Sequence, residues 1–429
     1  MLAAALRLPG AVLLDAPRPD ADTGRRGALL FSAPRRTLAA WAPDEVGPLL
    51  DALDRALADG HHVAGALAYE AGYALHPSVG AAPPGGEPAA PLGWFGVYDA
   101  PEAVGARALD EALAAALAGR GGVAVRDLAF AWSPAAYAER LAAVREHIRR
   151  GDVYQANLTA PFRFRLDGDA LGLFAALRAR QPVSYGAFLR LPAPPGSAAA
   201  GGAHEGGAAV ASVSPELFFR VDADRPEPGG GAGRTITARP MKGTAPRAAS
   251  AAEDRALVDA LRASPKDRAE NLMIVDLLRN DLARVSRAGS VRVPALFEPE
   301  RYATVTQLTS TVRAALRPDA GLADVLRALF PCGSVTGAPK LRAMQLLRDL
   351  EDGPRGVYCG AIGYAAPAPG GGLGTAAFSV PIRTAVVDAG GRGRKPAGRY
   401  DVGSGVVWDS RADAEYAECL LKARVLTDL

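Results

Sequence analysis

Four acidic residues fall into two pairs with the same spacing: Asp267 with Glu270, and Glu415 with Glu418. Apolar residues that recur every three or four positions predict a helix over 266–285 and a last helix over 413–426, so each pair lies near the start of a helix. The same steps place Glu270 and Glu418 on the apolar stripes of their helices. A carboxylate buried on such a stripe is costly unless a cation or a proton compensates its charge.

Either pair alone is also explained by solvated side chains in a first helical turn, where acidic groups interact favourably with the helix dipole. Two helices with the same arrangement favour a shared Mg2+ site. Mg2+ commonly takes one or two carboxylates, keeps several waters and accepts oxygens of an anionic substrate. The sequence therefore predicts a site at which Mg2+ helps to hold a small anion.

Composition and charge restrict the class of protein. The chain has 429 residues, of which 49% are hydrophobic and 22% charged, and its formal net charge is +3. A large core and two or three domains are compatible with these values. No basic block is present, so no nucleic acid and no anionic membrane is expected as a partner. The apolar start is interrupted by Arg7 and Pro9 and is predicted to be a strand rather than a signal peptide. We expect a cytoplasmic protein.

The cysteines and histidines exclude several kinds of site. Cys332, Cys359 and Cys419 lie far apart, which fits reduced thiols better than disulfides. All five histidines precede residue 205. A site in the second half of the chain must therefore use carboxylates, lysine, arginine and backbone groups, which argues against zinc and against a Ser/His/Asp triad there.

Runs of strands and pairs of helices follow one another from residue 134 onward, without regular βαβ alternation, which predicts an α+β protein. Single long strands are predicted over 208–221, 235–244 and 375–387. Short Gly/Ala/Pro tracts are predicted to be enlarged hairpin loops, and they cover 83–91, 192–207, 226–233, 367–374 and 389–398.

Seven motifs occur in one order between residues 130 and 429: GDVYQANL at 151–158, SPELF at 214–218, PMKGT at 240–244, ENLMIVDLLRND at 270–281, GSVTGAPK at 333–340, GAIGY at 360–364 and GSGVV at 403–407. In this order they resemble the chorismate-utilising enzymes, which include anthranilate, aminodeoxychorismate, isochorismate and salicylate synthases. The resemblance implies a large two-sheet α/β sandwich of the anthranilate synthase component I type. It also implies an amino-terminal α+β region over 1–125 and a chorismate-binding catalytic domain over 130–429, packed as one globule.

The resemblance assigns roles to the paired acids. Glu270 and Glu418 look like direct Mg2+ ligands that receive the ring carboxylate of chorismate, and Asp267 and Glu415 look like supporters through water. Glu216 resembles the general acid that protonates the departing C4 hydroxyl, since hydroxide is a poor leaving group.

Further positions match the substrate-binding residues of the family. The enolpyruvyl carboxylate would meet Tyr364, Arg383 and backbone amides near Gly403 and Gly405, because an arginine fork and exposed N–H groups suit a carboxylate. Tyr364 and Arg383 could instead be strand residues with solvated tips. The remaining matches are Thr336 near the ring hydroxyl, Gly243 and Thr244 beside the substrate, and Gln155.

Two positions favour the aminodeoxychorismate synthases within this family. Isochorismate and salicylate synthases place a lysine base where this chain has Gln155, and an amide cannot activate water in that way. Anthranilate synthases usually have alanine where this chain has Lys242, and a lysine there can attack C2 of chorismate. Gln307, in place of a histidine that other members carry, also resembles the shorter aminodeoxychorismate synthases.

No Cys/His/Glu glutaminase module is visible, so ammonia is expected to come from solution or from a separate glutamine amidotransferase subunit. The nearest alternative is anthranilate synthase component I, against which Lys242 argues. An alternative of another class is a non-catalytic regulatory protein that binds chorismate or tryptophan. The retention of Glu216, Glu270, Glu418 and Lys242 together argues against that alternative.

Overall fold

A computed structural model describes residues 2–20, 24, 26–82, 90–193, 207–223, 233–302, 305–388 and 396–429. Within them the strands are β1 Val12–Ala16, β2 Gly27–Phe31, β3 Arg36–Ala40, β4 His62–Leu67, β5 Gly93–Tyr98, β6 Glu102–Val104, β7 Ala124–Phe130, β8 Gln155–Asp167, β9 Tyr185–Arg190, β10 Ala208–Ser214, β11 Leu217–Asp222, β12 Thr235–Arg239, β13 Met241–Pro246, β14 Arg292–Arg301, β15 Val305–Ala315, β16 Gly337–Ala338, β17 Ala361–Pro367, β18 Leu373–Ser379, β19 Thr384–Asp388 and β20 Ala397–Val406. The helices are α1 Leu2–Ala5, α2 Pro43–Ala58, α3 Ala71–Leu75, α4 Ala106–Leu117, α5 Pro134–Arg149, α6 Ala170–Arg180, α7 Ala251–Ala263, α8 Pro265–Ala283, α9 Leu322–Leu329, α10 Lys340–Leu350, α11 Ala412–Lys422 and α12 Arg424–Thr427, with 3-10 turns at Pro77–Val79 and Gly333–Val335.

The described strands form two sheets of ten strands each. The first sheet has the order β16-β8-β20-β19-β10-β9-β1-β2-β6, with β7 also paired to β8. The second has the order β13-β15-β12-β11-β18-β17-β4-β5-β3, with β14 also paired to β15. The pairings in both sheets are antiparallel.

The two sheets pack face to face and helices cover their outer faces. On β1, Val12 belongs to the apolar cluster between the sheets, whereas its neighbour Leu13 packs against the helices outside the first sheet. This alternation follows from the two-residue period of a strand. Leu141 of α5 belongs to the outer cluster on the first sheet, and Ile274 of α8 to that on the second. The predicted α+β sandwich of two large sheets is therefore confirmed.

The space between the sheets has two different ends. At one end β1, β2, β4 and β5 contribute apolar side chains, among them Phe31 and Trp94, to a continuous cluster. The other end lies near β8, β20 and β13 and contains a cavity. The strands before residue 125 thus extend the same two sheets that carry the cavity. The predicted division into 1–125 and 130–429 stays a prediction.

The three segments predicted as single strands are each two strands, so those predictions are wrong. The breaks fall at Pro215, Pro240 and Pro381 or directly beside them. Proline has no N–H to donate to a neighbouring strand and fixes its own backbone torsion, so a continuous ladder ends there. A pattern of alternating apolar residues does not reveal this interruption, because it continues across the proline.

Other sequence predictions have mixed outcomes. The tract 367–374 joins β17 and β18 as a hairpin, as predicted. The tracts 83–91, 192–207, 226–233 and 389–398 lie largely outside the described residues. All three cysteines are buried and free. The helices in the described part of the chain are each too short or too polar to cross a membrane.

Candidate active site

A cavity of about 340 Å³ is lined by both sheets, by α8 and α11, and by connections between elements. Its charged lining residues are Glu216, Lys242, Lys266, Asp267, Glu270, Arg383, Asp401, Glu415, Glu418 and Lys422. Six carboxyl groups thus meet four cationic side chains in one enclosed space. Such a lining suits a charged small molecule rather than an apolar ligand.

Two connections between the sheets place Glu216 and Arg383 in this cavity. Strand β10 belongs to the first sheet and β11 to the second, so the chain crosses at Pro215 and Glu216. It crosses back between β18 and β19, just before and at Arg383. The crossings are bonded to each other, because Ser214 Oγ donates to Val380 O at 2.5 Å and Val380 N donates to Glu216 O at 3.1 Å. Both side chains are thereby fixed between the sheets.

Burial dominates the chemistry of Glu216. The residue is 3% exposed, and Oε1 has no hydrogen-bond partner in the described part of the chain. Burial raises the pKa of Glu216 to about 7, although the Ser334 hydroxyl, Lys242 and the Met241 amide act in the opposite direction. A carboxyl group with that pKa can carry a proton near neutral pH and donate it, as a general acid must.

Lys242 lies on β13 and reaches across the cavity to the first sheet. A Cβ atom added to Gly405 on β20 would lie 2.9 Å from Lys242 Nζ and would also collide with the amide nitrogen of Gln155. Glycine at 405 therefore gives the ammonium group room beside the backbone. Burial raises the pKa of Glu216 and of Glu270, and the charge of Lys242 opposes the rise at both; it also acts on Glu418. None of the described carboxylates forms an ion pair with Lys242.

Helix α8 brings two of the predicted acids to the cavity. Glu270 lies on the same side as the buried Ile274 and Leu278, as predicted, and its side chain is 13% exposed. Burial raises the pKa of Glu270, and Lys242 and Lys266 oppose this rise. Gly243 has a φ of 94°, and a Cβ there would lie 3.0 Å from Asp267 Cβ. Glycine thus lets β13 pack closely against the start of α8.

Helix α11 differs from its prediction. Glu415 is buried and accepts a hydrogen bond from Ser410 Oγ at 2.7 Å. Glu418 was expected on a buried apolar stripe, but its side chain is 48% exposed, and Leu421 is also exposed. The buried residues of α11 are Glu415 and Cys419 instead, and Leu426, which was predicted on the same stripe as Glu418, is buried on α12. Glu418 nevertheless lines the cavity.

Lys266 lies between an acid of α8 and an acid of α11, and Lys422 pairs with an acid of its own helix. Lys266 Nζ lies 3.8 Å from Glu270 Oε1 and 3.9 Å from Glu415 Oε1, and Lys422 Nζ lies 2.6 Å from Glu418 Oε1. No group of three His, Cys, Asp or Glu residues in the described part of the chain is suited to hold a metal ion alone. Mg2+ needs only one or two direct carboxylates because water completes its shell. Carboxylates and water are the donors that Mg2+ accepts, and the predicted metal site stays a prediction.

Arg383 is the cation best placed to receive an anion. Its φ is 52°, a strained conformation for a residue with a side chain, and such strain is found preferentially at functional sites. Burial lowers the pKa of Arg383, and no carboxylate in the described structure forms an ion pair with it. A partly buried guanidinium that lacks a protein counter-ion is suited to bind a carboxylate in a bidentate manner.

Three predicted residues do not line the cavity. Thr336 is fully buried, and its hydroxyl donates to Cys332 O at 2.8 Å, whereas its neighbours Ser334 and Val335 do line the cavity. Gln155 is buried, and its amide nitrogen lies on the same side of Gly405 as Lys242 Nζ. Tyr364 lines a separate cavity of about 70 Å³ between the sheets. The other predicted site residues line the main cavity: Glu216, Lys242, Gly243, Thr244, Asp267, Glu270, Arg383, Gly403, Gly405, Glu415 and Glu418.

The sequence reasoning missed Lys266 and Lys422. Both lie four residues from an acid of the same helix, Glu270 and Glu418 respectively, which is the spacing at which helical side chains meet. That spacing was visible in the sequence. The second contact of Lys422, from Nζ to Gly403 O at 2.7 Å, joins α11 to β20 and was not visible there.

This chain is similar in sequence to known proteins that share a family. A family model described as chorismate binding enzyme matches residues 21–428. An aminodeoxychorismate synthase of Streptomyces pristinaespiralis is 44% identical over 288 residues, which are 67% of this chain and 35% of that protein. Anthranilate synthase component 1 of Streptomyces coelicolor is 39% identical over 292 residues, 68% of this chain and 50% of that protein. The chain thus spans about a third to a half of the length of these relatives.

A solved structure shares the fold over nearly the whole chain. Anthranilate synthase component I of Streptococcus pneumoniae has a TM-score of 0.68 and 25% sequence identity, and the match covers 98% of this chain and 90% of that one. The two large sheets, the charged cavity between them and the family match from residue 21 to 428 lead to the same assignment. This chain belongs to the family of chorismate binding enzymes.

Proposed function

We propose that this chain converts chorismate and ammonia to 4-amino-4-deoxychorismate, which makes it an aminodeoxychorismate synthase that serves 4-aminobenzoate and folate synthesis. The observation that carries the proposal is the approach of Lys242 to Gly405 inside the cavity that also contains Glu216. A primary amine and a carboxyl group with a pKa of about 7 are the two groups that an exchange of hydroxyl for amine requires.

The acidic end of the cavity suits the ring carboxylate of chorismate together with Mg2+. Glu270 and Glu418 would hold the metal directly, and Asp267 and Glu415 would hold it through water. When bound, Mg2+ supplies the positive charge that allows a carboxylate to enter a site lined by acids. The partial burial of Glu270 supports this assignment, because a carboxylate there gains from a nearby cation.

Other lining residues of the cavity suit the enolpyruvyl carboxylate. Arg383 would form the ion pair, and the backbone amides near Gly403 and Gly405 would donate further hydrogen bonds. Both glycines lie on β20 and line the cavity. Tyr364 is left out of this part of the proposal because it lines the other cavity.

The chemistry follows from two side chains. After its proton passes to solvent, the amine of Lys242 attacks C2, the two conjugated double bonds of the ring shift, and the C4–O bond breaks as Glu216 gives its proton, so that water leaves. Ammonia then adds at C4, the two double bonds shift back, and the C2–N bond to Lys242 breaks. The proton that ammonia loses restores Glu216. Chorismate and ammonia thereby give 4-amino-4-deoxychorismate and water.

The position of Gln155 supports amination rather than hydration. It is 1% exposed, and its Oε1 has no hydrogen-bond partner in the described structure. An amide at that position cannot remove a proton from water, as the lysine of the isochorismate and salicylate synthases would. Anthranilate synthase is the second candidate, since relatives named anthranilate synthase component 1 are similar to this chain. Lys242 argues against it.

We further propose that the ammonia comes from a separate glutamine amidotransferase subunit. The word component in the names of similar proteins supports a partner for those proteins. The purified chain should therefore work with high ammonium and should use glutamine only after an amidotransferase subunit is added. Efficient use of glutamine by the chain alone would contradict this part of the proposal.

Mass spectrometry of the product from chorismate, ammonium and Mg2+ tests the function. A product with the mass of 4-amino-4-deoxychorismate is expected, whereas fluorescent anthranilate would assign the second candidate. Incubation without ammonia should leave a covalent adduct on the Lys242 peptide. The peptides of Lys266 and Lys422, which also line the cavity, are internal controls and should stay unmodified.

Replacement of the proposed nucleophile completes the test. Lys242→Ala should lower the rate by several orders of magnitude, because loss of a covalent route removes more than one hydrogen bond of about 1 kcal/mol. If no adduct forms and Lys242→Ala keeps most of its ammonia-dependent rate, Lys242 is not the nucleophile. Direct attack by ammonia would then replace the first step.

A further inference from the structure

Arg355 carries a buried cation that contacts the wall of the cavity from outside. The residue is 2% exposed and does not line the cavity. Its guanidinium donates four hydrogen bonds, two of which go to the Glu351 carboxylate, from Nε at 2.9 Å and from Nη2 at 2.7 Å. The pair is therefore bidentate, and the orientation of the guanidinium plane is fixed.

The other two hydrogen bonds connect two parts of the cavity wall. Nη1 donates to Val335 O at 2.7 Å, and Nη2 donates to Asn157 O at 2.8 Å. Val335 belongs to the 3-10 turn that precedes Thr336, Asn157 lies on β8, and both line the cavity. Asn157 N also donates to Thr336 O at 2.9 Å. One side chain thus holds the turn and the strand at a defined separation.

Arg355 is itself fixed by residues remote from the cavity. Its backbone N–H donates to Glu70 Oε1 at 2.7 Å, and the N–H of Gly356 donates to Glu70 Oε2 at 3.0 Å. The guanidinium carbon lies 4.3 Å from the centre of the Tyr69 ring. Glu351 Oε1 also accepts hydrogen bonds at 2.9 Å from the amide and the hydroxyl of Thr159. Neither the backbone nor the guanidinium group of Arg355 can move without breaking several contacts.

We propose that Arg355 is a positioning residue that sets the separation between the 3-10 turn Gly333–Val335 and strand β8, and through it the place of the substrate ring relative to Glu216. The inference rests on the proposed function, since it concerns the wall of the chorismate cavity. Arginine is required because its planar fork reaches a carboxylate and two carbonyl groups at once. The ammonium group of lysine carries its three donors on a single atom and cannot span these acceptors.

Arg355→Lys tests the proposal because it keeps the charge for Glu351 and removes the fork. Turnover of the folded variant should fall about 10- to 100-fold, since a shift of about 1 Å in a reacting group costs that much. The Mg2+ concentration for half-maximal rate should not change, because the proposed ligands lie on α8 and α11, which Arg355 does not contact. Hydrogen exchange in residues 333–337 should become faster.

Arg178→Lys is the matched control. Arg178 is also a largely buried arginine, with a side chain 13% exposed and ion pairs to Asp15 and Asp110, and it lies away from the cavity. It should lose stability without loss of turnover per folded molecule. If Arg355→Lys does not fold, Glu351→Gln, which weakens the anchor of Arg355, should show the same pattern at smaller size.

The possible results separate the two proposals. The positioning role would be overturned if folded Arg355→Lys kept both the turnover and the hydrogen exchange of the wild-type protein. The same holds for Glu351→Gln if Arg355→Lys does not fold. A parallel loss of Mg2+ affinity would overturn it as well, because it would indicate general loosening. If the wild-type protein does not convert chorismate, the proposed function fails. Faster hydrogen exchange of residues 333–337 in Arg355→Lys, but not in Arg178→Lys, would then still support the contact that Arg355 makes between the turn and β8.

Discussion

Replacement of Glu216 by glutamine should stabilise the protein at alkaline pH while it removes activity. The unfolded chain holds this carboxyl at its ordinary pKa of 4.5, whereas burial raises the pKa to about 7 in the folded protein. Below pH 4.5 the group is protonated in both states. As the pH rises towards 7, only the unfolded state loses the proton, so the free energy of unfolding of the wild-type protein decreases.

The size of the effect follows from the shift in pKa. The pKa rises from 4.5 to about 7, and each step of one in pKa corresponds to about 1.36 kcal/mol. The wild-type free energy of unfolding therefore falls by about 3 kcal/mol, and the fall is complete above pH 7. Glutamine has no proton to lose. The stability of Glu216→Gln relative to wild type should therefore increase by about 3 kcal/mol between pH 4.5 and pH 8. Other acids, including Glu270, titrate in both proteins and largely cancel in the comparison.

Urea unfolding of both proteins at pH 4.5 and pH 8 measures this quantity. Glu139→Gln, at an exposed position on α5, is the matched control and should show no such dependence. Turnover of Glu216→Gln should fall about 10²- to 10⁴-fold, the usual contribution of a general acid. A stability difference that stays constant within about 1 kcal/mol over this range would refute the argument from burial. Near-normal turnover would refute the role as acid.

Two further predictions concern the metal and the nucleophile. Glu418→Gln should weaken Mg2+ binding measured by titration calorimetry and should abolish turnover, and full activity of that variant with a chelator present would rule out the metal assignment. Gly405→Ala should lower turnover about 10- to 100-fold, because the new Cβ would lie 2.9 Å from Lys242 Nζ and displace it. Gly47→Ala, where an added Cβ meets nothing within 4 Å, is the control for Gly405→Ala, and equal turnover of the two variants would contradict the proposed packing.

The sequence alone determined most of the charged residues that line the cavity and much of the local structure. The spacing of apolar residues placed Glu270 on the buried side of α8, and the helix begins and ends within two residues of its predicted bounds. The ordered motifs indicated the family that the match over residues 21–428 confirmed. Such features are readable because a helical period and a short motif depend on neighbours in sequence.

Helix α11 shows the limit of a prediction from helical periodicity. The same periodicity that placed Glu270 correctly put Glu418 on a buried stripe, yet its side chain is 48% exposed. Helix α11 buries Glu415 and Cys419 instead. Periodicity gives the phase of a helix only when one face is clearly apolar. Here Leu420 and Leu421 are both exposed, so the tertiary contacts of α11 decided which face is buried.

Only the tertiary structure decided how the site is assembled. The sequence contains Pro215 and Pro381 within what look like continuous strands, but not the fact that the chain changes sheets there and brings Glu216 and Arg383 together. Likewise, the meeting of Lys242 with Gly405 joins strands of different sheets, more than 160 residues apart. Tyr364, in a family motif, lines a separate cavity. Contacts of this kind depend on which sheet each strand joins, and strand pairing over long separations leaves no local pattern in the sequence.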